Sequence, residues 1–292
     1  MTQDNEEQNR DPITGIETTG HEWDGLRELN IPAPRWWLWV FFVSIIFSIG
    51  YWVVYPSWPT LSGATKGLWS WTQFSYLKEQ QAEVAEQQAH YVARFDQANL
   101  IQINNDKELY EFARAGGGVA FQDNCAACHG TGAAGGYGYP NLNDDDWLWG
   151  GSLDEIYATI RYGIRSGHDK SHEGDMTPWK DVLKAEEIEN VADYVRHLHE
   201  GEAAPKGAAY EAGKKIFSAN CAACHGDNGE GKTNVGAPRL NDAIWLYGSS
   251  KAAIMSSIMG GRAGVMPFWE GRLDDRTIKE LAIYVHSLGG GK

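Results

Sequence analysis

"NCAACHG" stands twice in this chain, at residues 124–130 and again at 220–226. All four cysteines, Cys125, Cys128, Cys221 and Cys224, fall inside these two heptapeptides. None is left for a structural disulfide or a free thiol. Three chemistries use Cys-x-x-Cys. A zinc site draws four ligands from two pairs roughly 12–20 residues apart. Here the pairs are far more distant, and each has its own surroundings. A redox dithiol belongs in a βαβ context, and no strand pattern precedes either motif. The third chemistry is c-type haem attachment. Each Cys forms a thioether to a haem vinyl group, and the His that follows, His129 or His225, ligates the iron. That His, directly after the second Cys, separates the third chemistry from the other two.

The surroundings of the two motifs form an internal repeat, roughly 107–199 and 207–289. Gly117 matches Gly213 and Phe121 matches Phe217. "NLNDDDWLWGGS" (141–152) matches "RLNDAIWLYGSS" (239–250), and "VADYVRHL" matches "LAIYVHSL". "EGEAAPKGA" (200–208) is a short linker. Each unit reads as helix, CxxCH, glycine-rich loop, short helix, methionine loop and helix. The fold expected is all-α: two tandem class I cytochrome c domains, 107–199 and 207–289, behind one transmembrane helix. Units this small need extra apolar bulk, which a large buried cofactor supplies.

A closed c-type haem needs a sixth ligand. The candidates in the first unit are Met176, His168, His172, His197 and His199. The repeat selects Met176, because Met266 stands in the matching loop ("MTPW" and "MPFW"). Met255 and Met259 read as core residues of a helix. Each Met is paired with the haem of its own repeat, although an exchange between the two lobes would leave the same eight residues as ligands. His/Met ligation raises the reduction potential and closes the iron to substrates, which points to electron transfer. Arg165, Arg262, Trp147 and Trp245 are candidate contacts to haem propionates.

Residues 36–55, "WWLWVFFVSIIFSIGYWVVY", carry no charge. As a helix they span about 30 Å, the thickness of a bilayer core. Trp36, Trp37 and Trp39 mark one interface, and Tyr51, Trp52, Tyr55 and Trp58 the other. Pro56 and Pro59 stop the helix. The long acidic leader and the missing cleavage site argue for a permanent anchor over a signal peptide. Arg27 and Arg35 before the span, against Lys66 after it, set residues 1–35 in the cytoplasm. Because haem is attached outside the bacterial cytoplasm, the CxxCH units are expected in the periplasm, tethered to the inner membrane by a single pass.

Residues 1–20 are polar and without apolar periodicity, so the cytoplasmic segment reads as partly disordered. The 56–106 segment reads as a juxtamembrane linker and an amphipathic helix over 76–100, striped by Leu77, Val84, Ala85, Val92 and Phe95. The net charge of −14 excludes nucleic acid as a partner and favours basic ones.

"GLRELNIPAPRWW" (25–37), one uncharged span, "YPSWP" (55–59) and two CAACH units together resemble the diheme subunit of cbb3-type cytochrome c oxidases, called CcoP or FixP. The resemblance runs from residue 21 onward. It implies an electron-transfer subunit that is not an enzyme by itself. It would hold two covalent haems c through Cys125, Cys128, His129 and Met176, and through Cys221, Cys224, His225 and Met266. Its donor would be a cytochrome c or the cytochrome bc1 complex. Its acceptors would be a monohaem cytochrome c subunit and then the haem–copper catalytic subunit, within membrane lipid. The competing readings are a diheme subunit of another membrane dehydrogenase or oxidase, and a diheme peroxidase. Two matched Met loops argue against the peroxidase.

Overall fold

The structure, a computed structural model, describes residues 10–201 and 206–290. The chain divides into two compact units, one ending at Gln87 and the other beginning at Gln88. The expectation of disorder over residues 1–9, and part of the 200–208 linker, lie outside the described residues.

In the first unit, β1 (Thr18–Trp23) and β2 (Leu26–Leu29) form an antiparallel hairpin. The expected disorder up to residue 20 is therefore corrected over residues 10–20, where a hydrogen-bonded turn at Asp11 leads into β1. The reason is Asp24-Gly25, the two-residue turn that a twisted hairpin favours, with φ of 48° and 83°. Helix α1 (Arg35–Val54) has no buried residue, and its surface is apolar all round. That is the pattern of a helix solvated by lipid. Its two serines hydrogen-bond back onto the helix, Ser44 to Phe41 O and Ser48 to Ser44 O. Tyr55 ends it in an extended conformation, as a residue before proline must. A small hairpin, β3 (Pro59–Thr60) with β4 (Gly63–Ala64), then turns the chain back. Leu68 and Trp69 donate to Val53 O and Val54 O, satisfying carbonyls that the helix end leaves open.

Helix α2 (Gln73–Gln97) begins in the first unit and ends in the second; α3 (Leu100–Asn105) follows. The expected 76–100 helix thus starts earlier and breaks at Asn99, which caps α3 with its side chain. The repeats supply α4 (Lys107–Asn124), α5 (Ala126–His129), α6 (Leu153–Tyr162) and α7 (Ala185–Glu200), then α8 (Ala208–Asn220), α9 (Ala222–His225), α10 (Lys251–Gly260) and α11 (Asp275–His286).

The packing units are not the sequence repeats. Phe121, Ala113 and Leu109 of α4, with Ile156 and Ile160 of α6, share one core with Ile278, Leu281, Ile283 and Val285 of α11. Phe95 of α2 and Leu100 and Ile103 of α3 complete it. Phe217 of α8 and Ile254 and Ile258 of α10 share the other core with Ile188, Val191 and Val195 of α7. Each repeat therefore lends its closing helix to the other. Glycine permits both crossings. A Cβ on Gly117 would lie 2.2 Å from Glu280 O, and one on Gly213 would lie 2.0 Å from Asn190 O.

Candidate functional site

Both heptapeptides fold into the same turn. Phe121 O accepts from Cys125 N at 2.8 Å, and Cys125 O accepts from His129 N at 2.9 Å. The second copy repeats these values at Phe217, Cys221 and His225. Cys125 and Cys221 are half-buried, whereas Cys128 and Cys224 are exposed. Burial pushes the Cys125 and Cys221 thiols up to about 11.

The imidazoles are aimed by a contact that the sequence reading missed. His129 Nδ1 lies 3.2 Å from Pro140 O, and His225 Nδ1 lies 3.0 Å from Pro238 O. A carbonyl only accepts, so each Nδ1 carries the proton and each Nε2 keeps a free lone pair. Burial also holds both rings below the ordinary imidazole pKa, against the opposing pull of these hydrogen bonds. Neutral imidazole with a free Nε2 is the form that ligates a metal. The signal was available, since both prolines directly precede the matched 141–152 and 239–250 runs.

The methionines come from across the repeat. Met266 and His129 line one cleft, partly open to solvent, with Phe121, Cys125, Ile160 and Leu281. An apolar cleft with a His and a Met in its wall suits a largely apolar, metal-bearing ligand. Met176 instead packs on the core that holds Cys221 and Phe217. Of the two pairings the sequence leaves open, the packing favours the exchange: Met266 sits with His129, and Met176 with the Cys221 motif. The backbone enforces the exchange. Ile164 and Met266 pair in both directions at 2.9 and 3.0 Å, and Met176 and Arg262 at 2.9 and 3.2 Å.

Three of the four rejected histidines have polar or stacking partners, while His197 is buried edge-on to Tyr210 with its Nδ1 unpartnered. His168 pairs with Glu270 at 2.9 Å, His172 stacks on Trp149, and His199 contacts Asp242 O. All four candidate propionate contacts already meet protein groups. Trp147 donates to Gly290 O at 2.6 Å, and the Trp245 N–H faces His199 and Asp242 O. Arg165 donates to Gly264 O and Gly174 O. Arg262 differs: its Nη2 is buried with no hydrogen-bond partner. A buried orphan donor of a permanent cation fits an anionic group of a bound cofactor.

Comparison with known proteins gives the family. Residues 15–62 match the N-terminal domain of cytochrome oxidase-cbb3, FixP. Residues 113–195 and 208–285 match cytochrome C oxidase, cbb3-type, subunit III. The cbb3-type cytochrome c oxidase subunit FixP of Bradyrhizobium sp. (strain ORS 278) is 54% identical, covering 97% of this chain and 98% of the relative. That of Bradyrhizobium diazoefficiens is 53% identical over the same shares. The CcoP subunit of Azospirillum sp. (strain B510) is 48% identical, with coverage of 97% and 98%.

Proposed function

The chain belongs to the family of cbb3-type cytochrome c oxidase subunit III, and on that premise we propose that it relays electrons through two covalently attached haems c to the oxygen-reducing centre of that oxidase. It is a membrane-anchored c-type cytochrome subunit of an oxidoreductase complex. In this reading Cys125 and Cys128 hold one haem and Cys221 and Cys224 the other. His129 and Met266 ligate the first iron, and His225 and Met176 the second. Haem c bound there supplies a one-electron couple. The chain's own groups do the rest. The Pro140 and Pro238 carbonyls fix the tautomer and orientation of each imidazole. Phe121, Ile156, Ile160, Leu281 and Val285 give the first site an apolar wall. With both a His and a Met given to each iron, no position would be left open for a substrate.

Electrons enter from a cytochrome c or the cytochrome bc1 complex and leave to a monohaem cytochrome subunit and then the haem–copper subunit. Arg27 and Arg35 before the span, against Lys66 after it, support a cytoplasmic N-terminus and periplasmic haem lobes at the bacterial inner membrane.

The observation that carries this reading is the pair of matched CxxCH turns, each with its Nδ1–H held by a proline carbonyl. Purification of the full chain from membranes in mild detergent tests it. Peptides over 124–130 and 220–226 should each carry the mass of a haem, and the haem–copper subunit should co-purify. Unmodified peptides would sink the two-haem reading, and a missing haem–copper subunit would sink the assembly.

A further inference from the structure

The two lobes repeat each other closely, and one position breaks the repeat beside the ligand loops. Helices α6 and α10 both end on a glycine, Gly163 with φ 73° and Gly261 with φ 66°. A Cβ at either place would strike the methionine loop of the other repeat, 2.5 Å from Met266 O and 2.2 Å from Met176 O respectively. The next residue pairs backbone to backbone with that loop. In the first lobe it is Ile164, an apolar residue lining the cleft of His129 and Met266. In the second lobe it is Arg262, pairing with Met176.

The guanidinium of Arg262 is held firmly. Its Nε donates to Ser257 Oγ at 3.0 Å, and its central carbon lies 4.1 Å from the Tyr247 ring centroid. Tyr247 takes the place of Trp149, which lines the first cleft. Nη2 is left buried without a partner, and no carboxylate forms an ion pair with Arg262 among the described residues. A held, desolvated cation with a spare donor is set to meet an anion. Arg165, the neighbour of Ile164, has turned its donors to the carbonyls of Gly264 and Gly174 instead.

We propose that Arg262 is a positioning residue for the second haem, donating through Nη2 to a propionate and keeping that site at a higher reduction potential than the first. This rests on the two-haem reading above. Taking up one electron lowers the charge of a haem site by one unit, so a nearby cation in a low-dielectric wall favours the reduced form. Ile164 offers the first site no such charge. An electron delivered by a one-electron donor protein therefore settles on the site of His225 and Met176.

Spectroelectrochemical titration of the full-length chain in detergent tests this. Met176→His and Met266→His assign the two couples, since each shifts the couple of the site it serves. The wild type should show the second couple above the first. Arg262→Gln, which is neutral and can still reach Ser257, should weaken reduction of the second site about tenfold, about 59 mV for a one-electron couple, and leave the first in place. Arg262→Lys, which keeps the charge, should retain most of the original potential and guards against a folding defect in the Gln variant. A second couple lying below the first would overturn the proposal. So would an Arg262→Gln variant with both couples unmoved, or both moved equally. Haem mass on the 220–226 peptide reports separately on the two-haem reading: haem present with unmoved couples rejects the role of Arg262 alone.

Discussion

In the lobe built on His129, α4 carries three consecutive glycines, Gly116 to Gly118, against a carboxyl group on α11. In the lobe built on His225, the matching positions of α8 are Ala212, Gly213 and Lys214, and α7 presents Asn190 where α11 presents Glu280. The shared part is the crossing itself. Gly117 and Gly213 let the helices touch, and Phe121 and Phe217 each rest on a tyrosine, Tyr284 or Tyr194, with ring centroids 5.4 and 5.2 Å apart. The divergent part lies one residue to the side, where a Cβ on Gly116 would come 2.5 Å from Glu280 Oε2. The crossing is what attachment and ligation require of both lobes. The residues around it are free to make the lobes unequal.

The comparison depends on the exchange, and the sharpest way to break it is at the methionines. In a chain carrying Cys221→Ser and Cys224→Ser, the first motif alone can hold haem. Met266→Ala in that background should abolish the methionine-to-iron charge-transfer absorption, and Met176→Ala should leave it. Own-repeat pairing requires the opposite result. The effect is all or none.

Next in size is the crossing. Gly117→Ala and Gly213→Ala each force a methyl group into a backbone carbonyl, and neither helix can yield without opening its core. Each should cost about 3 kcal/mol in denaturant unfolding of the full chain. Equal costs fit a crossing common to both lobes, and a cost at one alone would show that the lobes differ there as well.

Glu280 separates the lobes by pH. Burial pushes its carboxyl up to about 7, with Asp274 and Asp96 adding to the rise and Arg276 opposing it. The unfolded chain ionises near the ordinary 4.5, so between that pH and about 7 the folded lobe holds a proton that the unfolded chain has released. Stability falls as pH rises through this window and levels above it. Glu280→Gln removes the loss. It should be about 2 kcal/mol more stable than wild type at pH 8, and the difference should vanish toward pH 4. A constant difference across that range would mean the carboxyl is not titrating.

What was legible in the sequence follows from how local each signal is. CxxCH states its chemistry within five residues, and Met176 and Met266 were recoverable because the repeat places them in register. The exchange was not recoverable, since either pairing uses the same ligands and the same helix faces. Leu109, Ala113, Gly117 and Phe121 form an apolar stripe, but nothing in the stripe says whether α7 or α11 covers it. The hairpin turn at Asp24-Gly25 was not read from the sequence, because the polar residues before it show no alternation of apolar side chains. Trp147 and Trp245 looked free to meet a cofactor until Gly290 O and Asp242 O, set by the fold, took their N–H groups.

The smallest expected effect concerns the polar ties at the exchanged joints. In the first lobe, Arg161 on α6 meets Glu270 at 2.5 Å and Asp275 at 3.2 Å, both from the second repeat, and Glu270 also takes His168 at 2.9 Å. In the second lobe, among the described residues, a single pair, Lys251 with Asp193 at 2.9 Å, joins α10 to α7. All these groups are partly exposed, with 30% of the Arg161 side chain and 36% of the Lys251 side chain accessible, so water and salt screen them. Arg161→Gln should cost about 1 kcal/mol, as expected for a small network, and Lys251→Gln about 0.5 kcal/mol or less. Both costs should shrink in high salt. A loss at Arg161 that ignores salt would show that its packing against Tyr157 and Tyr162, at 5.7 and 5.5 Å, matters more than its charge. Arg161 would then act mainly within α6, through its own helix neighbours, and the ion pairs would add little to the tie across the repeat.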